Sequence, residues 1–447
     1  MRLRLLTAAA VACAVVLATP IASQATTLEE AVQGAIVFHP TIQRDEALEQ
    51  ASEQQIEEAY SGYLPSLDAD LAVGAEATNS PVTRAGGFGT RGLINTENRL
   101  TARQLIFDGW LTPGLVGAAR ANHRAALGDL RETSELIGIE AAQLYLNVLR
   151  DTEFVDAAEA NVASHQEISD RIVGLAQAGR GSEADIAQAE SRLALAKASL
   201  EDLRGGLREV IAQYIETVGV TPEDLERPTV PDYGEPATVD EAIAIAMEQN
   251  PSVSAASARV DQAEEQIRVA EAAYYPRLDV EAFGSINQNL DGTRGGDSDL
   301  NGRARMQWNL FNGFGDVART RRAERLHNAA EGTLGDESRR IREETRTVWE
   351  SLQTARDRIG PIREHHAAQQ RVLNAYLQQF DVGRRSLLDL LDAQNEYFQA
   401  QLQLSDADFN VTVAEYELIF VTGRFLSTLG IVVPSDEDDH LEPWENQ

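Results

Sequence analysis

Thr27–Asp68 reads TLEEAVQGAIVFHPTIQRDEALEQASEQQIEEAYSGYLPSLD, and Thr238–Asp279 reads TVDEAIAIAMEQNPSVSAASARVDQAEEQIRVAEAAYYPRLD. The two stretches align without a gap at an offset of 211 residues: Pro40 of HPT falls on Pro251 of NPS, and Pro65 of YLP on Pro276 of YYP. Further along, the offset becomes 204. IFDGW (Ile106–Trp110) matches LFNGF (Leu310–Phe314), and GRGSEADIAQAE (Gly179–Glu190) matches GRRSLLDLLDAQ (Gly383–Gln394). A loop shorter by seven residues in the second copy accounts for the change. A unit of roughly 200 residues is far longer than the ~20–50 residues of a solenoid repeat, so the chain is two copies of one large half.

Each half has the same order of periods. Short helices are expected over Leu28–Phe38 and Val239–Gln249, and the prolines of HPT and NPS suit the first position of the next helix. Those helices end before YLP and YYP, because a residue that precedes proline avoids helical angles. The period then changes to two. Leu67, Ala69, Leu71, Val73 and Ala75 oppose Asp68 and Asp70; Leu278, Val280, Ala282 and Ile286 oppose Asp279, Glu281 and Ser285. Ala304, Met306, Trp308 and Leu310 oppose Arg303, Arg305, Gln307 and Asn309. RLTARQLIF is weaker, since Gln104 lies on its apolar side. Segments of about ten alternating residues suit strands that face lipid on one side and a polar lumen on the other. The Gly-, Asn-, Asp- and Thr-rich stretches 78–96 and 288–301 are expected to be the hairpin loops.

A long helical region follows each hairpin. No proline occurs between Pro113 and Pro222, so a helix of ~65 residues, about 97 Å long, is possible there. A helix of that length survives by packing along its side. Pro361 lies inside the second copy, where a kink or break is expected. Ser182 and Ser386, after the glycine-containing turns, are suitable caps for the return helices 182–218 and 386–429. The expected organisation is a signal peptide (1–25), a first repeat (26–237: β-hairpin 66–107, helical hairpin 114–219), a second repeat (238–433: β-hairpin 277–311, helical hairpin 316–429) and an acidic disordered tail (434–447).

The signal peptide rests on Arg2 and Arg4, the apolar run Leu5–Leu17 and the small residues Ser23 and Ala25. Cys13, the single cysteine, falls inside that run, so the mature chain has neither disulfides nor a thiol nucleophile. No later apolar run is long enough for a membrane helix, which needs ~20 residues. The net charge of −32 argues against nucleic acid as a partner, because phosphate binding rests on Lys and Arg.

Four membrane strands per chain cannot stand alone. An open sheet in lipid leaves backbone groups unpaired, and the smallest closed barrels have ~8 strands. Two chains would give eight strands, an interior nearly filled by side chains; three would give twelve and leave a passage. If the long helices line the same passage, three is the better count.

These features resemble the TolC family of outer-membrane channel proteins over nearly the whole mature chain. The resemblance rests on the duplicated half, YLP/YYP, FDG/FNG and, most specifically, VGRRSLLDLLDAQNEYFQAQ at the second helix tip. It implies an α+β membrane protein: a homotrimer with a twelve-stranded β-barrel, four strands per chain, on a long periplasmic α-helical barrel. It also implies outer-membrane lipid around the barrel and docking to a periplasmic adaptor (membrane fusion protein) and an inner-membrane ABC transporter or RND pump, with no cofactor and no enzymatic activity.

The family's periplasmic gate carries over by position. Its acidic pair, spaced by three, matches Asp389 and Asp392. Its gate arginine matches Arg385, the partner aspartate in the first half matches Asp185, and the gate tyrosine falls on Phe380, which has no hydroxyl. Read from the residues alone, Asp389, Asp392, Glu396, Gln399, Gln403 and Asp406 recur at spacings of three and four and so share one helix face. A solvated stripe is the plain reading of such a face; with the resemblance, it implies rings of three aspartates that favour cations and could bind a divalent ion. Arg385 facing Asp185, between helices or protomers, is the candidate latch.

Gly87–Gly92 fits G-x-G-x-x-G but sits in an expected loop without a βαβ unit, so it carries no nucleotide site. The adjacent His365 and His366 point apart on a helix and make no metal site. Three functions stay open: an exit duct for type I protein secretion, which the GRRSLLDLLDAQNEYF wording resembles most; the same duct for multidrug efflux; and a periplasmic coiled-coil scaffold.

Overall fold

The computed structural model describes residues 26–178 and 180–433; the expected signal peptide, Gly179 of the first tip turn and the acidic tail lie outside the described residues. The chain runs α1 (Leu28–Phe38), α2 (Pro40–Tyr60), β1 (Ser66–Thr78), α3 (Pro81–Ala85), β2 (Arg91–Phe107), α4 (Leu111–Gln177) and α5 (Glu183–Val218). The second copy gives α6 (Val239–Gln249), α7 (Pro251–Glu271), β3 (Arg277–Gln288), β4 (Gly296–Gln307), α8 (Gly315–Asp381), α9 (Leu387–Val421) and α10 (Phe425–Thr428). The element starts keep the offsets of the repeat: α2 and α7 begin 211 residues apart, and α4 and α8, each of 67 residues, 204 apart. At ~1.5 Å per residue each of these two helices is about 100 Å long.

Local chemistry explains the motifs. His39 and Asn250 cap α2 and α7 through the amides of Thr41 and Ser252, and a proline follows each cap. The first tyrosine of YLP and of YYP ends a single 3-10 turn that closes the helix, and the next residue is extended. FDG and FNG start the long helices: Asp108 Oδ2 accepts from the Thr112 amide at 2.9 Å, and Asn312 Oδ1 from the Asp316 amide at 3.3 Å. Gly109–Trp110 and Gly313–Phe314 all have positive φ, and a Cβ on Gly109 would lie 2.6 Å from Tyr275 Cβ. Both turns therefore favour glycine for their angles, and Gly109 is needed for the close approach as well.

The four strands form one antiparallel sheet in the order β1-β2-β3-β4. Its register places Ser66, Arg103, Glu281 and Arg303 side by side on one face, and Leu67, Ala102, Ala282 and Gly302 on the other. Along β3 the polar face is the covered one: Asp279, Glu281, Ser285 and Asn287 are buried, Glu281 being only 2% exposed, whereas the polar residues of the edge strands β1 and β4 are mostly open. The apolar face is open, with Leu71 77% and Leu300 87% exposed. A hairpin of a water-soluble domain would bury the opposite face. Among the described residues no helix is long and apolar enough to cross a membrane. The open apolar face of the sheet is itself a surface that fits lipid. Gln104, on the apolar side, sits at the strand's helical end and donates to the Tyr63 carbonyl at 2.9 Å.

Several boundaries differ from the sequence reading. β1 extends to Thr78, β2 begins at Arg91 and β4 at Gly296, so Gly- and Asp-rich residues read as loop belong to strands whose backbone ladder they complete. β4 ends at Gln307, leaving Trp308 and Leu310 outside it; the Trp308 indole N–H donates to the Tyr274 carbonyl. α8 passes through Pro361 without a break. Gly360 precedes that proline and has no Cβ for the ring to strike, and α9 packs against α8. α9 ends at Val421, where Gly423 turns the chain at φ 72° before α10. Its counterpart Gly219 (φ 86°) ends α5, and a Cβ on either glycine would strike the end of a short helix, Phe38 for Gly219 and Gln249 for Gly423.

The main core gathers α1, α4, α5, α9 and α10 around Val32, Ile36, Leu130, Tyr145, Tyr214, Tyr416 and Phe425. Glu135 of α4 is buried there and accepts from the amides of Phe425 (3.1 Å) and Leu426 (3.3 Å), which ties the last helix to the first long one. Burial pushes its carboxyl up to about 7, against the opposing pull of those two amides. A carboxyl raised in the folded state contributes stability that is complete below its unfolded value and is lost as pH rises through the folded value. Between pH 4.5 and 7 the wild type should therefore lose on the order of 3 kcal/mol relative to Glu135→Gln, read as denaturant midpoints across that range; parallel curves for the two proteins would contradict this.

Candidate functional site at the helix tips

α4 and α5 meet in one tip, α8 and α9 in another, and the two tips share a turn geometry. The Arg180 amide donates to Leu175 O at 2.9 Å and the Arg384 amide to Gln379 O at 2.8 Å. Ser182 and Ser386 then cap the return helices, their hydroxyls accepting from the amides of Asp185 and Asp389 at 3.2 Å each. Beneath the turns lies an apolar plug of Ile168, Ile172, Ala189, Leu373, Leu387, Leu390 and Leu391, with Phe380 packed half-buried against it. Of the leucines beside the acids, Leu388 alone is exposed.

The two capping aspartates behave differently. Asp185 returns to its own cap, accepting from the Ser182 amide at 3.0 Å and hydroxyl at 2.7 Å. That hydroxyl bond, reinforced by the amide, holds its carboxyl below the usual carboxylate value. Asp389 instead turns to Arg385, 3.6 Å away. The Arg385 guanidinium lies 4.0 Å from the centre of the Tyr376 ring, a cation–π contact, while its buried Nε has no hydrogen-bond partner. The structure thus brings Arg385 and Asp389 together, and within the chain it leaves Asp185 in its capping box, away from Arg385.

Asp392 is bridged from the other half: Arg192 of α5 donates to its Oδ1 at 2.7 Å. A second bridge, Arg171 to Asp381 at 2.5 Å, joins α4 to the end of α8. Deeper in, Gln394 Nε2 donates to Asn161 Oδ1 at 3.2 Å, and His165 is buried with its imidazole pushed below its ordinary value by burial and by nearby Arg192. Sequence reading passed over Arg192, Tyr376 and the Arg171–Asp381 bridge. One signal was available: at the 204 offset Arg192 aligns with Glu396, so equivalent positions in the two copies carry opposite charge. Glu396, Gln399 and Gln403 of the stripe are exposed, and Asp406 approaches Arg150 at 4.0 Å. These are exposed carboxylates and guanidiniums in reach of one another at the end of two helical hairpins. They can hold helices together and present charge; they contain no nucleophile–base pair.

The family model described as "Outer membrane efflux protein" matches residues 31–213 and 242–424, two regions again 211 apart. The outer membrane efflux protein BepC of Brucella suis is 26% identical over 95% of this chain and 92% of its own length. The proteases secretion protein PrtF of Dickeya chrysanthemi is 22% identical over 83% of each chain. The crystal structure of the CmeC outer membrane channel of Campylobacter jejuni superposes with a TM-score of 0.78 at 15% identity, over 93% of this chain and 90% of that one.

Proposed function

Because the chain belongs to the outer membrane efflux protein family, whose members are channels of the TolC type and not enzymes, we propose that it is the outer-membrane exit duct of a type I protein secretion system. The protein resides in the outer membrane and extends into the periplasm, and channels of this family are trimers that work with a periplasmic adaptor and an inner-membrane transporter. The observation that carries the duct reading is the sheet: the polar side of its inner strand β3 is covered, its apolar face is open, and both β1 and β4 have unpaired edges in the single chain. Three such sheets joined edge to edge would give a closed barrel of twelve strands with a polar lumen.

Transport is passive in this account, with energy supplied by an ABC transporter behind an adaptor. The wording of the tip around Arg385–Phe398 and the likeness to PrtF support protein cargo. BepC, matched over more of the chain, is named as an efflux protein and favours the drug-export reading as the second choice. In the trimer, Asp389 and Asp392 form two rings of like charge at the periplasmic end. Arg385, held on Tyr376 and Asp389, is the group that a neighbour's tip would have to engage, with Asp185 as its proposed partner across the interface and Phe380 as packing beneath it.

Reversal potentials of the purified channel in planar bilayers should show cation preference that falls in Asp389→Ala/Asp392→Ala, since ring charges of one sign exclude co-ions; an unchanged preference would remove these residues from the proposed gate. A deletion strain should lose large secreted proteins from its medium while its drug susceptibility stays at the wild-type level, and the reverse pattern would assign the duct to multidrug efflux.

A further inference from the structure

The polar face of the sheet changes sign along its length. Toward the loops it carries Asp68, Asp70, Glu76, Glu97, Asp297 and Asp299 against Arg91 and Arg99. At the end next to the long helices the order is reversed. There Arg103, Arg277, Arg303 and Arg305 surround two carboxylates, Asp279 and Glu281. Arg103 Nε donates to Glu281 Oε1 at 3.0 Å, Arg303 Nε to Oε2 at 2.7 Å, and Arg305 stands 3.9 Å away. Arg277 Nε donates to Asp279 at 3.1 Å. Above them, Phe283 lies between the guanidiniums of Arg99 and Arg303, at 5.2 and 5.4 Å from its ring centre.

Neutralising two acids does not need four arginines. Four guanidiniums against two carboxylates leave two positive charges per chain, in a protein whose net charge is −32. Glu281 is the buried post, while the side chains of Arg103, Arg277, Arg303 and Arg305 remain 44–56% exposed on the face that becomes the lumen. Guanidinium forks match carboxylate and phosphate oxygens in geometry; Glu281 holds Arg103 and Arg303, Phe283 stacks on Arg303, and Asp279 holds Arg277.

We infer that this arginine girdle is an oxyanion-attracting charge filter at the inner rim of the barrel, opposite in sign to the aspartates at the far end of the helices. The inference rests on the duct reading and adds a second specificity element to it. Repeated in each protomer around one passage, the excess charge focuses on the lumen, so carboxylate- or phosphate-bearing cargo meets it on leaving the helical barrel.

The test uses purified full-length channel in planar bilayers, with inorganic tripolyphosphate added on the loop side as a blocking probe. Arg303→Gln/Arg305→Gln keeps the Arg103–Glu281 bond and cancels the excess charge. It should raise the half-blocking concentration about tenfold and shift the reversal potential toward the cation side. Glu281→Gln should shift both in the opposite direction. Arg305→Gln alone, which breaks neither hydrogen bond to Glu281, serves where the double variant fails to assemble, and should raise the half-blocking concentration by a smaller factor. Wild-type channels that conduct but share one blocking concentration and one reversal potential with these variants would overturn the girdle. A wild type that forms no channel would overturn the duct reading itself, and the girdle with it.

Discussion

A β-sheet with its apolar face outward and both edges unpaired is under two demands at once. The open face, with Leu67, Leu71, Val73, Leu300 and Met306 exposed, calls for hydrocarbon around it. Hydrocarbon in turn forbids the free N–H and C=O groups that β1 and β4 present at the edges. Only closure with further strands meets both demands, and four strands are too few to close alone. The assembly follows from this, and so does the placing of polar groups such as Glu281 and Asn287 on the covered side. The helices fit the same requirement. α4 buries residues along most of its 67, whereas α8 buries only Thr320, Ala323, Ile341, Thr345, Leu352 and Leu373, which leaves its flank free for a neighbouring chain.

Duplication supplies the parts in pairs, and the proposed gate residues lie where the pairs diverge. Asp108 and Asn312 start the long helices in the same way, and Gly219 and Gly423 end the return helices in the same way. These are backbone solutions that each copy needs. At the tips the copies separate: Asp185 closes its own cap, while Asp389 pairs with Arg385 and Asp392 reaches Arg192 in the other half. Both copies keep the N-cap serine, so the second acid and the arginine were added without loss of the cap.

Much of the fold could be read from the chain because its signals are local. The period-two alternation, the caps at Ser182 and Ser386 and the turn glycines depend on residues close in sequence and mark where elements lie, although β2 and β4 begin about six residues inside the expected loops and α9 stops at Val421, well short of 429. What failed was of another kind. Pro361 was read by its local effect, but the helix continues through it without a break, with glycine before the proline and α9 packed alongside. The Gly- and Asp-rich ends of β2 and β4 are strands because a partner strand completes their ladder, which composition does not reveal. At the tips, resemblance pointed to Asp389, Asp392 and Arg385, whereas Arg192, Arg171 and Tyr376 act across helices at separations that no motif spans.

The central claim is that β1 of one chain pairs with β4 of the next until three chains close the barrel. Cysteine pairs report this directly, for example Leu71→Cys with Leu300→Cys and neighbouring positions on the two strands. Within a chain β1 and β4 lie three strand spacings apart, about 14 Å, too far for a disulfide. Oxidised membranes analysed by denaturing gel should show a covalent ladder that stops at the trimer for the pairs in register, with no cross-link in proteins carrying one of the two substitutions. Monomer alone across all pairs, or a ladder that continues past three, would contradict the account.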